Sequence, residues 1–163
     1  MTSLYQAKWT NEIHDEWIRN VLANRPDLKP AQLERTRNLM NNHVLDCLVF
    51  GYERLINSLK LPDPNDRHVL AAAIHAKCSV ILTYNLKDFP SRILEKYNIV
   101  AIHPDPFLDE LTELYPEAVC TAIKQLRGYL KNPPVSLQEY FLILKQQSLH
   151  KTVERLNELS DLL

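Results

Sequence analysis

Four oxygen-bearing side chains are the candidates for chemistry. Glu16 lies on an early helical pattern, Asp66 at the start of an alanine-rich helix, and Asn85 with Asp88 just past an apolar, strand-like run. Hard carboxylate and amide oxygens suit Mg²⁺ or Mn²⁺, with waters completing the shell, wherever a fold brings them together. In open parallel sheets ligands gather beyond the carboxyl ends of strands, which is where Asn85 and Asp88 fall. The same residues admit plainer roles. Asp63 and Asn65 read equally as turn and cap residues, Asp66 as a complement to a helix dipole, and Glu16, beside Glu12 and Asp15, as a solvent-facing acid. Asn85 and Asp88, ahead of Phe89-Pro90, also read as an Asx turn. Arg67 and His68, in the first turns beside Asp66, could meet a phosphate or simply lie on the surface. His14, His43, His75, His103 and His150 show no metal-ligand pairing and receive no function.

Composition narrows the classes. The 163 residues are 45% apolar and 24% charged, which bounds the chain to one domain of ordinary size or one domain with an appendage. Nineteen Lys plus Arg against twenty Asp plus Glu leave a net charge of −1, so any RNA contact must be local. Gly51 and Gly128 are the two glycines, and neither a P-loop nor a dinucleotide fingerprint can be written with them. No Gly-x-Ser-x-Gly elbow is present for a nucleophilic hydrolase. Cys47, Cys78 and Cys120 are widely spaced and odd in number, which suits buried thiols in a reducing compartment better than a disulfide framework. The amino terminus lacks the apolar core of a secretory signal, and no stretch approaches the roughly 18 apolar residues of a membrane span. A soluble cytoplasmic protein without membrane partners is expected.

The positioning elements follow from pattern. Thr10 sits at an N-cap ahead of Ile13, Trp17 and Val21, so a helix is expected over Thr10 to Ala23, and a second over Ala31 to Val44 after Pro26 and Pro30. A short helix is expected near Tyr52 to Leu59, then an alanine-rich one beginning beside Asp66. Ser79–Tyr84 and Asn98–His103 are apolar, β-branched runs of strand length, which argues a parallel sheet covered on both faces. From Pro106 the pattern is helical, with stripes at Val119, Ile123, Leu126 and Leu130, at Leu137, Tyr140, Phe141 and Leu144, and at Val153, Leu156, Leu159 and Leu163. Asn132-Pro-Pro134 separates the first stripe from the second. Residues 1–103 carry 13 basic and 11 acidic groups and 104–163 carry 6 and 9, which places a boundary near Pro104.

Asp63-Pro-Asn-Asp-Arg-His-Val-Leu-Ala-Ala-Ala-Ile and Val80-Ile-Leu-Thr-Tyr-Asn-Leu-Lys-Asp-Phe-Pro90 together resemble the central and later motifs of the PIN-domain family, the VapC-type toxin ribonucleases. Trp9-Thr-Asn-Glu-Ile-His-Asp-Glu-Trp-Ile-Arg-Asn is similar to that family's helix after its second strand, where a Thr or Ser cap precedes a metal-site glutamate by six positions. Glu16 fills that slot. The resemblance covers residues 4–103, with 104–163 similar to a helical extension on one branch of the family. It implies a three-layer α/β/α fold with a parallel sheet, and metal-dependent hydrolysis of RNA phosphodiesters. The implied site is Glu16, Asp66 and Asn85 around Mg²⁺ or Mn²⁺, with Asn85 standing where the family commonly has aspartate, Asp88 as a nearby substitute, and Arg67 and His68 toward phosphate.

Against the family pattern, a first strand ending in a metal-anchoring aspartate would precede Leu4, and no residue before Glu12 is acidic. An amino-terminally truncated PIN-like domain is therefore expected, with a strand at Leu4–Lys8 beside a gap. Each buried backbone group left unpaired there would cost about 1–3 kcal/mol. Closure of the flanking strands, a separately encoded strand, or a start codon assigned downstream would each relieve it. Weak dication binding is expected of such a pocket. The alternative is a non-catalytic remnant serving as an interaction module for an antitoxin-like partner or a second copy in a homo-oligomer.

Overall fold

The computed structural model describes residues 4–131 and 133–163. Met1–Ser3, at the start of the amino-terminal reading, and Asn132, in the expected Asn132–Pro134 break, lie outside the described residues.

Thr10 sets the first element. Its backbone is extended and its hydroxyl accepts from the Ile13 N–H at 3.0 Å, satisfying one of the donors that a helix start leaves free. Helix α1 then runs Asn11–Asn24 and buries His14 and Ile18. Helix α2, Pro30–His43, opens on a proline, whose missing N–H costs nothing at that position. His14 is 1% exposed and fully engaged. Its Nδ1 accepts from the Trp17 indole at 2.8 Å, so Nε2 carries the hydrogen and donates to Asn41 Oδ1 at 2.9 Å, which also accepts from the Trp9 indole at 2.8 Å.

The strand expected at Leu4–Lys8 does not form. Pairing there is one parallel bridge, Trp9 with Leu48, in which Trp9 N–H donates to Cys47 O and Val49 N–H to Trp9 O, each at 2.9 Å. Tyr5 and Gln6 are exposed, so no buried face holds them extended against a neighbour.

After Gly51, at φ 79°, the expected helix over Tyr52–Leu59 shortens to α3, Glu53–Ile56. A 3₁₀ turn, Pro64–Asp66, leads into α4, Arg67–His75, whose Leu70 and Ala71–Ala73 are buried. Strands β1, Val80–Leu82, and β2, Val100–Ile102, pair in parallel, with Val100 N–H donating to Ser79 O at 3.0 Å and Thr83 N–H to Ile102 O at 3.1 Å. The crossover between them holds a 3₁₀ turn at Leu86–Asp88, helix α5 at Ser91–Leu94 and a second 3₁₀ turn at Glu95–Tyr97. Among the described residues the sheet has two strands, with Leu82 45% and Val100 51% exposed, so the expected sheet covered on both faces is reduced to a small parallel pair in a mostly helical chain.

The chain divides into two units. One comprises Tyr5–Ile81 and Asn85–Ala101 and closes around Val49, Tyr52, Leu59, Leu70, Ile81, Phe89, Leu94 and Ile99. Full burial of each such aliphatic or aromatic side chain contributes about 1.5–3 kcal/mol. The other holds Leu82–Tyr84 and Ile102–Leu163, with helices α6, Pro104–Leu114, α7, Pro116–Tyr129, α8, Leu137–Gln146, and α9, His150–Glu158. Its core is Ile123, Phe141, Val153 and Leu156, one or two residues from each expected stripe, while Leu126 and Leu130 remain exposed. Helix α6 begins at Pro104 and carries Pro106 within its first turn, ahead of the expected start.

Candidate functional site

The first unit brings three distant stretches to one electrostatic neighbourhood. Asp66 ends the Pro64–Asp66 turn with helical backbone, and its side chain makes no capping bond, because Asp63 has taken that role by accepting from the Asn65 N–H at 2.8 Å. The Asp66 carboxyl is held above the usual carboxylate range. Partial burial contributes most, followed by the negative charges of Asp63, Asp88 and Glu16, with His68 acting in the opposite sense. Asp66, at the start of α4, therefore feels Glu16 from α1 and Asp88 from the β1–β2 crossover, although they lie 50 and 22 positions away.

His68 connects two of these stretches. It is 3% exposed, with Nε2 3.3 Å from Glu16 Oε2 and Nδ1 3.6 Å from Glu12 Oε2. Neither nitrogen makes a hydrogen bond of acceptable geometry, so the ring sits as a buried group between two carboxylates rather than facing solvent. Glu12 also accepts from the Tyr52 hydroxyl at 3.3 Å, and burial pushes that phenol up from its ordinary range. Glu12 received no role from sequence, yet it lies one helical turn before Glu16, a spacing that puts both on one face of α1. Arg67 turns back on its own turn and donates to Pro64 O at 2.8 Å.

Asn85 is exposed and donates through its amide to the Asp88 carboxylate, while the Asp88 N–H donates to Asn85 O at 3.2 Å. This local turn fixes the pair just past β1. A cavity of about 450 Å³ is lined by Glu12, Asp15, Glu16, Arg19 and Asn65. It includes the α1 acids but not Asp66, Asn85 or Asp88.

Carboxylate oxygens are the right donor type for a hard dication. Among the described residues, however, no three His, Cys, Asp or Glu side chains converge closely enough to hold a metal ion. As placed, the acids form an electrostatic cluster and not a coordination shell. Cys47 and Cys120 are buried, Cys78 is partly buried with its thiol pushed up by burial, and all three are free. Among the described residues no helix is long and apolar enough to cross a membrane.

Residues 104–158 match the family model described as the VapC50 C-terminal domain. A curated relative named "Putative ribonuclease VapC50", from Mycobacterium tuberculosis (strain ATCC 25618 / H37Rv), is 41% identical over 93 residues, covering 57% of this chain and 54% of that protein. The chain thus spans about half the length of the curated relative it matches. No solved structure matches it.

Proposed function

We propose that this chain is a VapC-type PIN-family protein, similar over 93 residues to a curated VapC50 relative, and that its first unit is a PIN-like ribonuclease domain that hydrolyses RNA phosphodiester bonds. The observation that supports the reading is the gathering of Glu16 and Asp88 with Asp63 around Asp66, whose carboxyl is held above its ordinary range by partial burial first and by those charges next. Clustered, partly buried carboxylates are a common feature of functional sites, where they hold protons or hard cations. Asp66 is proposed as the centre of the cluster, the carboxylate around which the dication and the scissile phosphate would gather. Burial and the charges of Asp63, Asp88 and Glu16 raise its proton affinity, and His68 lies 3.3 Å from the Glu16 carboxylate. Asn85 fixes the Asp88 carboxylate, and Arg67, tied through Nε to Pro64 O, is proposed to meet phosphate through its remaining N–H groups.

The family relation also brings a divalent ion and an antitoxin-like partner into the proposal. Because the donors stop short of convergence among the described residues, Mg²⁺ or Mn²⁺ is expected to bind weakly, with Glu16, Asp66 and Asn85 as its contacts. The helical unit, residues 102–163, is proposed as the extension through which a protein partner or a second copy is engaged.

The test is cleavage of a labelled single-stranded RNA by the whole chain across a Mn²⁺ titration, with chelator as the blank. Cleavage that chelator abolishes, and that falls by about 10²-fold or more in Asp66→Ala and Glu16→Ala, supports the enzyme. The lack of converging donors favours one competing reading, a non-catalytic interaction module. Absence of cleavage at every divalent concentration would select it.

A further inference from the structure

A second cavity of the same unit, about 440 Å³, is lined by Ser58, Lys60, Arg92, Ile93, Lys96 and Tyr97. Three of these six side chains are cations, and none is a carboxylate. Lys60, Arg92 and Lys96 are all exposed, and none has an ion-pair partner among the described residues. Cations gathered in one concavity without a counter-charge repel one another, an arrangement that an anion relieves. In a chain with net charge −1 this is a local concentration of positive charge and not a reflection of the whole.

Tyr97, 38% exposed, adds an aromatic ring to the rim. Cations that follow a backbone, with an aromatic side chain on which a base stacks, are the combination that binds single-stranded nucleic acid without reading sequence. Arg92 supplies a planar fork suited to phosphate oxygens, and the two lysines supply point charges.

Chain connectivity ties this cavity to the acidic cluster. Lys60 precedes Asp66 by six residues, and Arg92 follows Asp88 by four, which limits the two Cα separations to at most roughly 21 Å and 14 Å. The same two stretches therefore carry acids at one place and cations at another. We propose that the Lys60–Arg92–Lys96–Tyr97 cavity binds the sugar-phosphate backbone of single-stranded RNA beside the acidic cluster, holding the polymer while a neighbouring linkage lies over Asp66. The choice of RNA as the anion rests on the ribonuclease reading. A flat anionic lipid surface would meet protruding side chains better than a concavity.

The experiment is fluorescence anisotropy with a short labelled single-stranded RNA and the whole chain, in chelator so that nothing is cut, at several salt concentrations. The triple reversal K60E/R92E/K96E is compared with K29E/R35E/R54E, which changes net charge equally at exposed cations outside the cavity. The cavity variant is expected to bind at least about tenfold more weakly, with a salt dependence of log K smaller by about 2, the share of three phosphate contacts on a single strand. Tyr97→Leu is expected to weaken binding several-fold and Tyr97→Phe to retain it. Thermal melts confirm that the surface variants fold.

Equal loss in both triple variants, no loss in either, or no RNA binding by the wild type overturns the assignment. So does sedimentation with phosphatidylserine vesicles without RNA binding. Cavity-dependent binding by a chain that does not cleave RNA with Mn²⁺ upholds the cavity and defeats the ribonuclease reading. Cleavage that is indifferent to the cavity variant does the reverse.

Discussion

Asp66 sits in its surroundings at a cost. A carboxyl whose folded-state pKa exceeds its unfolded value binds its proton more tightly when folded, so its ionised form lowers stability above the folded pKa. That penalty disappears once pH falls below the unfolded value. Burial and the charges of Asp63, Asp88 and Glu16 all push Asp66 in this direction. Asp66→Asn removes the repelled charge while preserving the shape, and it should raise Tm at pH 7 by about 1–2 °C while RNA cleavage is lost. The Tm difference should shrink as pH falls below about 4, where the aspartate is itself neutral. Thermal scans of both proteins at the two pH values check this, and a lower Tm for the variant at pH 7 would show that the carboxylate is held by attraction. His68 gives the site a different constraint, since replacing a buried ring between Glu12 and Glu16 changes packing and charge together.

Between elements, Asp105 in α6 plays the part that residue 149 cannot. Leu149 precedes α9 and has no side-chain acceptor, so the free N–H groups of α9 are met from 46 and 47 positions away. Asp105 Oδ2 accepts from the Lys151 N–H at 3.0 Å, and Oδ1 accepts from the Thr152 N–H and hydroxyl, each at 2.9 Å. Burial alone would raise this carboxyl, but those bonds outweigh it and hold it below its ordinary range. A depressed pKa stabilises above the unfolded value and loses that contribution as pH drops through the folded one. Asp105→Ala should cost about 2–4 kcal/mol in urea denaturation at pH 7. Asp105→Asn should cost less, and the gap between wild type and Asp105→Ala should narrow as pH falls through and below the ordinary aspartate range. An unchanged urea midpoint in the alanine variant would show that the helices pair without this tie.

Local signals made several elements legible before any coordinates. Thr10 marks the start of α1; a signal of the same kind, absent from the sequence reading, stands at α8, where the Ser136 hydroxyl accepts from the Glu139 N–H at 3.2 Å while Glu139 accepts from the Ser136 N–H at 2.8 Å. Both motifs lie within four residues of sequence. The strand at Leu4–Lys8 is implied by the family resemblance, but a strand exists only where a neighbour pairs with it, and Leu48 offers a single bridge to Trp9. Tertiary approach decided the site as well. Nothing local to Asp66 or Arg67 says that α1 will enclose His68, and Asp105 carries no mark of its distant partner Thr152.

At the scale of the whole molecule, charge bounds what nucleic acid can be held and how. A net charge of −1 supplies no long-range field toward a polyanion, so binding depends on the few cations that one concavity collects. A duplex presents two charges per base pair along a stiff rod and is held by many cations in register, whereas three cations around a hollow match a short, flexible single strand. Duplex DNA should therefore bind at least about tenfold more weakly than single-stranded RNA at ~0.15 M salt, with log K for the single strand falling against log salt by a slope of only about 2. Anisotropy titrations with the two probes at several salt concentrations measure both quantities. Comparable affinity for duplex and single strand, with a slope near that of many phosphate contacts, would place binding on a broad surface and not in this cavity.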